Sequence, residues 1–276
     1  MFVKCQYTGT GDKLDLMASS DRHHDSAHCN RSLEIQHLKL AQERGALIID
    51  AGDLFDAMQG KYDPRKTYAA LRPEYCVPNY YDAIVDDAVE FYRPFADRFL
   101  MIGRGNHEAS VYEKASTDLT SRLTAELRRA GSSVMTGSIG GWIIFQFEAV
   151  GGGGRFSKKY RYHHGGGGNA PVTKGVISTA RQAVYLPDAD IIHNGHNHQE
   201  YNLAIKRERV SNQGKKSFDL AHFIRTPGYK QDYDTGGWGD LKQFPPTPNG
   251  CAWVTVEIVN IGSSRGAHIT VTADVR

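Results

Sequence analysis

Five short polar blocks, each at the end of a run that reads as a strand, constrain this chain more than any other feature. Residues 14–20 run into Asp21-Arg22-His23, residues 46–50 into Gly52-Asp53-Leu54-Phe55-Asp56, and residues 99–102 into Gly105-Asn106-His107-Glu108. Further on, residues 158–162 end at His163-His164, and residues 190–193 lead to Gly195-His196-Asn197-His198. Runs this short, bounded by Gly, Asp and Asn, read as strands, and the apolar ones as buried strands. Helical periods separate the early ones. Leu33, His37, Leu40 and Ala41 mark a face within residues 31–44 that Gly45 closes. Tyr81, Ile84, Val85, Ala88, Phe91 and Phe95 mark a second, with a break expected at Pro94, and Leu119, Leu123 and Leu127 a third within residues 117–130. Strand and helix in alternation make an α/β chain, whose ligands gather at the carboxyl ends of the strands.

The blocks sit at those ends, and their chemistry is uniform. Each offers carboxylate or amide oxygen or imidazole nitrogen. The four cysteines, Cys5, Cys29, Cys76 and Cys251, are scattered and form no CxxC pair. An oxygen and nitrogen donor set without thiolate suits borderline divalent cations and argues against a structural zinc knot. In extended backbone the pairs Asp21 and His23, and His196 and His198, each point to one side, so both members of a pair can reach one site.

In order and spacing the blocks resemble the calcineurin-like metallophosphoesterase superfamily, whose pattern is DxH, GDxxD, GNH[DE], a lone His and GHxH; the match spans residues 21–198. The chain also resembles phage and prophage members of that superfamily in its size and its tetraglycine runs. The resemblance implies a four-layer α/β/β/α sandwich with two mixed β-sheets and a dinuclear metal site at strand ends. It implies two divalent metal ions, Mn2+ foremost, with Fe, Zn or Ni as alternatives. One ion would take Asp21, His23, a bridging Asp53 and His198; the other would take Asp53, Asn106, the lone His and His196. For the lone His the resemblance favours His163, the residue expected directly after its strand, with His164 as the alternative. His107 would sit over the substrate as a catalytic donor, and Asp56 would pair with it. Arg104, His164 and Asp25 are candidates to meet the substrate; Asp25 stands where the superfamily often has a small residue, so it could instead support the first ion. The implied reaction is attack on phosphorus by a hydroxide shared between the ions, with His107 assisting the leaving group.

The remaining sequence bounds the rest. With 276 residues, 40% of them hydrophobic, the chain can bury a sizeable core. It has no run of about 20 apolar residues that would span a membrane, and its start lacks a secretory pattern, so a soluble cytoplasmic protein without membrane partners is expected. A net charge of +2 is too small to imply nucleic-acid binding by itself. One domain over residues 1–276 is expected, with residues 56–79 as an insertion covering the site and 225–250 as a long loop. Strands are expected at 142–149, 200–205 and 251–261, and a helix near 175–184. Tyr62, Tyr68, Tyr75, Tyr80 and Tyr81, among Lys61, Arg65, Lys66 and Arg72, could stack bases or pack the cover's own core. Arg155, Lys158, Lys159 and Arg161 could line a phosphate groove or protect a strand edge, as could Lys206, Arg207, Arg209, Lys215 and Lys216. His28, His37, His222 and His268 read as ordinary core or surface histidines, and His193 as a support. A phosphodiesterase acting on nucleic acid or a nucleotide is the first expectation, a phosphomonoesterase the second, and an inactive binding scaffold the third. The oligomeric state is left open.

Overall fold

The computed structural model describes residues 1–59, 71–152, 154–167, 172–173, 175–231, 233, 238–243, 245–261 and 264–276. Part of the segment expected to cover the site, residues 60–70 of 56–79, lies outside the described residues, and with it Tyr62, Tyr68, Lys61, Arg65 and Lys66.

Twelve strands are described: β1 (Phe2–Tyr7), β2 (Lys13–Ser19), β3 (Leu47–Asp50), β4 (Phe99–Ile102), β5 (Met135–Thr136), β6 (Gly140–Ala149), β7 (Arg155–His163), β8 (Ile191–Asn194), β9 (Tyr201–Val210), β10 (Lys216–Arg225), β11 (Gly250–Ile261) and β12 (Ser264–Val275). The helices are α1 (Arg31–Glu43), α2 (Tyr80–Tyr92), α3 (Asn106–Ala115), α4 (Leu119–Arg129), α5 (Val176–Tyr185) and α6 (Trp238–Leu241). Among the described residues the strands make two six-stranded sheets, ordered β12-β11-β2-β3-β4-β5 and β1-β6-β7-β8-β10-β9. Both are mixed. In the first, β2, β3, β4 and β5 run parallel while β11 is antiparallel to β2 and β12. In the second, β7, β8 and β10 run parallel.

Alternation along the buried strands sorts side chains into three cores, and so defines four layers. Leu16, Ala18, Ile49 and Met101 of the first sheet face Ile143, Phe145, Tyr160, Ile191 and Ile224 of the second in the core between the sheets. Their neighbours Met17 and Ile48 point the other way, onto Leu33, Leu38 and Ala41 of α1, Ile84 and Val85 of α2, and Leu123 and Leu127 of α4. Ile192 and Phe223 point out of the second sheet toward Ala183 and Leu186, in and just after α5. The order helix, sheet, sheet, helix is the expected sandwich.

Helix ends follow local chemistry. Asn30 caps α1 by accepting from Leu33 N at 3.0 Å, and Asp118 caps α4 by accepting from Ser121 N at 3.0 Å. Pro94 ends α2, as expected, and the chain tightens into a 3-10 turn over Arg93–Phe95. The chain's two halves do not make one sheet each. The C-terminal strands β11 and β12 join the sheet of the first half, and β1 pairs with β6 in the other. The expected strand edge at Arg155–Arg161 is also corrected: β7 lies between β6 and β8, and Lys158 pairs with Asp190 at 3.3 Å. The cations near β9 do lie on an edge strand, where Arg207 and Arg209 both pair with Asp219. No helix among the described residues is long and apolar enough to cross a membrane.

Candidate metal centre

Six strands point their carboxyl ends to one place. β2 delivers Asp21 and His23, β3 delivers Asp53 and Asp56, β4 delivers Asn106 and His107, β7 delivers His164, β8 delivers His196 and His198, and β10 leads to Lys230. Two groups of donor atoms form, each spanning at most 4.8 Å: Asp21, His23 and His198, and Asp53, His164 and His196. Asp53 also groups with His23 and His107, which places its carboxylate between the two.

In the first group His23 Nε2 lies 3.3 Å from His198 Nε2, and His198 Nε2 lies 3.5 Å from Asp21 Oδ1. In the second, His164 Nε2 is 3.1 Å from Asp53 Oδ2, 3.0 Å from Asn106 Oδ1 and 3.3 Å from His196 Nδ1. The Asn106 oxygen is also 2.7 Å from His196 Nδ1. With its oxygen inward this amide is placed to ligate; turned over, its nitrogen would donate to His196 Nδ1 at 2.7 Å and to Asp53 Oδ2 at 3.2 Å.

The residues fit divalent cations on grounds independent of motif. Asp21 Oδ2 accepts from the Ser20 hydroxyl and from His196 N at 2.8 Å, while Asp21 Oδ1 is buried without a hydrogen-bond partner. A buried carboxylate oxygen left without a donor is costly, and a cation held with His23 and His198 would satisfy it. The backbone is also strained at this place. Of the eight non-glycine residues with positive φ among the described residues, five are Asp21, His23, Asp53, His196 and His198, at 52°, 46°, 53°, 75° and 51°. Each such residue costs about 1–3 kcal/mol and persists where the surroundings over-determine it, as at functional sites. The glycines of two blocks explain themselves by close approach: a Cβ on Gly105 would land on the Asp53 carboxylate, and one on Gly195 on the Ser20 hydroxyl. Glu108 locks the strand ends together from behind, accepting from Asp53 N, Phe55 N and Gly105 N at 3.2, 2.8 and 2.8 Å.

Charges are strongly coupled here. Burial opposes ionisation of Asp53, but the His164 and His107 rings outweigh it and hold the carboxyl well below its usual range. Asp21 is held low in the same way by His198 and His164. Burial also disfavours the His164 cation, yet Asp53 raises that ring to about 10 in the metal-free protein. Two consequences carry opposite signs. The contribution of protonated His164 to metal-free stability is full below about 6.5 and is lost as pH rises through about 10. A cation must displace that proton, so its affinity should rise up to about tenfold per pH unit across the same window. Titration calorimetry in two buffers of different ionisation enthalpy should read about one proton released per protein; a heat independent of buffer would contradict this.

Several expected roles are corrected. His163 does not reach the cluster. The strand β7 runs one residue further than expected, to His163, so alternation turns this ring away with Arg161, and its Nδ1 accepts from Gly165 N at 2.9 Å. His164, fully buried, takes the place beside Asp53. If the two donor groups each hold an ion, His164→Ala should cost one of them while His163→Ala keeps both, as metal analysis after dialysis would show; the reverse pattern would restore His163. Asp56 does not pair its carboxylate with His107. That carboxylate meets His23 Nδ1 and Lys230 Nζ, each at 2.8 Å, and it is the Asp56 carbonyl that accepts from His107 Nδ1. Asp25 is a structural acceptor, holding Asp56 N at 2.6 Å, Ala57 N at 2.9 Å and the Tyr80 hydroxyl at 2.7 Å. Arg104 pairs with Asp118 and stacks on Tyr112, 4.9 Å from its ring centroid, so its guanidinium is engaged at the start of α4. Sequence reasoning missed Lys230, a buried amine five residues beyond β10. Its signal in the sequence is weak: a lysine six residues after Ala221-His222-Phe223-Ile224, a short stretch interrupted by His222.

No known family profile matches the sequence, and no curated protein matches it. Two solved structures are similar in overall course. One is vacuolar protein sorting 29 from Cryptosporidium parvum, with 13% identity and a TM-score of 0.40 over 96% of this chain and 100% of that one. The other is an uncharacterized protein of Streptococcus pneumoniae described as a predicted phosphoesterase, with 10% identity and a TM-score of 0.35 over 94% and 99%.

Proposed function

We propose that this chain is a phosphoric ester hydrolase of the calcineurin-like metallophosphoesterase type, working with two divalent cations. The observation that supports it best is the convergence of Asp21, His23, Asp53, Asn106, His164, His196 and His198 at joined strand ends, with backbone strain concentrated on five of the seven. Asp21, His23, Asp53 and His198 would hold one cation, and Asp53, Asn106, His164 and His196 the other. Bound cations of this kind activate water at neutral pH and neutralise phosphoryl oxygens.

The protein's own groups do the rest. The Asp56 carbonyl fixes the His107 proton on Nδ1, which leaves Nε2 turned to the cluster, 3.8 Å from Asp53 Oδ2. A proton held on that nitrogen by the nearby carboxylate can pass to the departing oxygen as its bond to phosphorus breaks, while the oxygen of water forms the new bond. Asp56 Oδ1 also lies 2.8 Å from His23 Nδ1, a contact of charge rather than a hydrogen bond, which favours the proton on that nitrogen and leaves Nε2 inward.

A diester is the preferred substrate class, with nucleic acid or a nucleotide foremost. A monoester dianion calls for extra cationic contacts, and among the described residues Arg104 is engaged with Asp118 and Lys230 with Asp56. The test is hydrolysis of bis(p-nitrophenyl) phosphate and p-nitrophenyl phosphate after metal stripping and addition of Mn2+. Metal-dependent cleavage of the diester is expected. Cleavage confined to the monoester would assign a phosphatase instead, and two bound ions with neither ester cleaved would favour a binding scaffold.

A further inference from the structure

The residues that follow β10 lie outside all five sequence blocks, yet they run directly behind Asp21 and His23. Their backbone is stitched to the segment from Asp21 to Asn30. Tyr229 N donates to Asp21 O at 2.9 Å, Asn30 N to Tyr229 O at 2.8 Å and Gln231 N to His28 O at 2.8 Å. Gly228, at φ +91°, sits so close that a Cβ would meet Asp21 O at 2.6 Å. Behind this segment Gly250 N donates to Gly228 O at 2.8 Å, and Asn249 Nδ2 to Lys230 O at 3.0 Å.

Two side chains reach from this clamp to the donors. The Thr226 hydroxyl is 2.7 Å from Ser20 Oγ, and Ser20 in turn donates to Asp21 Oδ2. His193 Nε2 lies 3.0 Å from Thr226 Oγ1. Burial pushes this imidazole down to about 3, so it stays neutral and can donate to the threonine oxygen. The chain of donors occupies Asp21 Oδ2 and leaves Oδ1 as the open oxygen. On the other side, Lys230 Nζ and His23 Nδ1 share Asp56 Oδ1 at 2.8 Å each. The charge of the shared carboxylate favours the His23 proton on Nδ1, without hydrogen-bond geometry there, and so leaves the lone pair on Nε2, toward His198. Thr226 is fully buried and Lys230 is 7% exposed, so neither is placed to touch substrate.

We propose that Thr226 and Lys230 are positioning residues that set the aim of Asp21 and His23, and thereby the affinity for the one cation those two donors share. This rests on the two-cation reading above. Loss of such an orienting partner lowers metal affinity about 10–100-fold.

The experiment is calorimetric titration of metal-stripped protein with Mn2+, for the wild type, Thr226→Val, Thr226→Ser and Lys230→Met, with urea unfolding alongside to establish that each is folded. Two ions are expected in the wild type. Thr226→Val and Lys230→Met should weaken one of them about 10–100-fold and leave the other unchanged, while Thr226→Ser, which keeps the hydroxyl, should bind like the wild type. In a His164→Ala background, which removes the other ion, the loss caused by Lys230→Met should persist. Wild-type affinities in both Thr226→Val and Lys230→Met would overturn the inference, as would equal weakening of both ions, since general loosening is not aim. A wild type that binds no pair of ions would instead overturn the functional reading itself. If Lys230→Met does not fold, Thr226→Val decides alone.

Discussion

Asp53→Asn should abolish turnover, by at least about 10³-fold, and should cost the protein both ions rather than one. The side chain stands in both donor groups around it, with His23 and His107 on one side and His164 and His196 on the other. Among the described residues no other candidate ligand is shared in this way with the group at His164. Asparagine keeps the acceptor for His107 N, which now lies 2.9 Å from Asp53 Oδ1, and it fits the tight space beneath Gly105. The fold should therefore survive. What is lost is the negative charge between two cations, and Coulomb repulsion between them then has nothing to offset it. The metal-free variant should also bind protons differently, because the carboxylate that raises His164 to about 10 is gone and the ring falls toward neutrality near pH 7. Equilibrium dialysis with metal analysis, together with diester hydrolysis, reads both effects. Retention of two tightly bound ions in Asp53→Asn would remove Asp53 from its shared position.

Much of this was legible because β3 and β4 are parallel strands buried on both faces, and such strands print as uninterrupted apolar runs. Each ends where Gly and Asp or Asn interrupt the run, so Asp53, Asp56, Asn106 and His107 stand out by position alone. The boundaries of α1, α2 and α4 followed from their apolar period and their stops. Other parts were hidden for identifiable reasons. A strand that ends one residue later than expected reverses which of two adjacent histidines faces inward, and residue composition does not specify that end; hence the sequence favours His163 while the structure places His164 inward. The helix α3 starts inside the third block, where Glu108 reaches back to Gly105 N, and its ten residues bury only Glu108 and Val111. The edge strands β1 and β12 expose alternate polar side chains and give no apolar run. The role of Lys230 depends on β10 pairing with β8, a contact between distant segments that no local pattern announces. The same holds for Asp56, whose carboxylate and carbonyl serve two different histidines, a division of labour set by backbone direction alone.

His107→Asn should separate catalysis from metal holding. Both His107 and His164 have Nδ1 on a backbone carbonyl, Asp56 O and Ala51 O, but His107 Nε2 stands 3.8 Å from Asp53 Oδ2 where His164 Nε2 stands at 3.1 Å. Its side chain remains 12% exposed, so a substrate phosphate can reach it. The backbone N of residue 107, which holds Asp53 Oδ1, is unaffected by the substitution. Both ions should stay bound. The rate should fall about 10²–10⁴-fold for a diester whose leaving group is an alkoxide or a nucleoside oxygen, the usual contribution of a positioned acid. With a p-nitrophenyl leaving group, which departs readily without a proton, the loss should be much smaller. Comparing the two diesters on wild type and variant therefore tests proton delivery directly. An equal loss on both would mean that His107 acts by charge on the phosphoryl oxygens, because that interaction does not depend on the basicity of the oxygen that leaves.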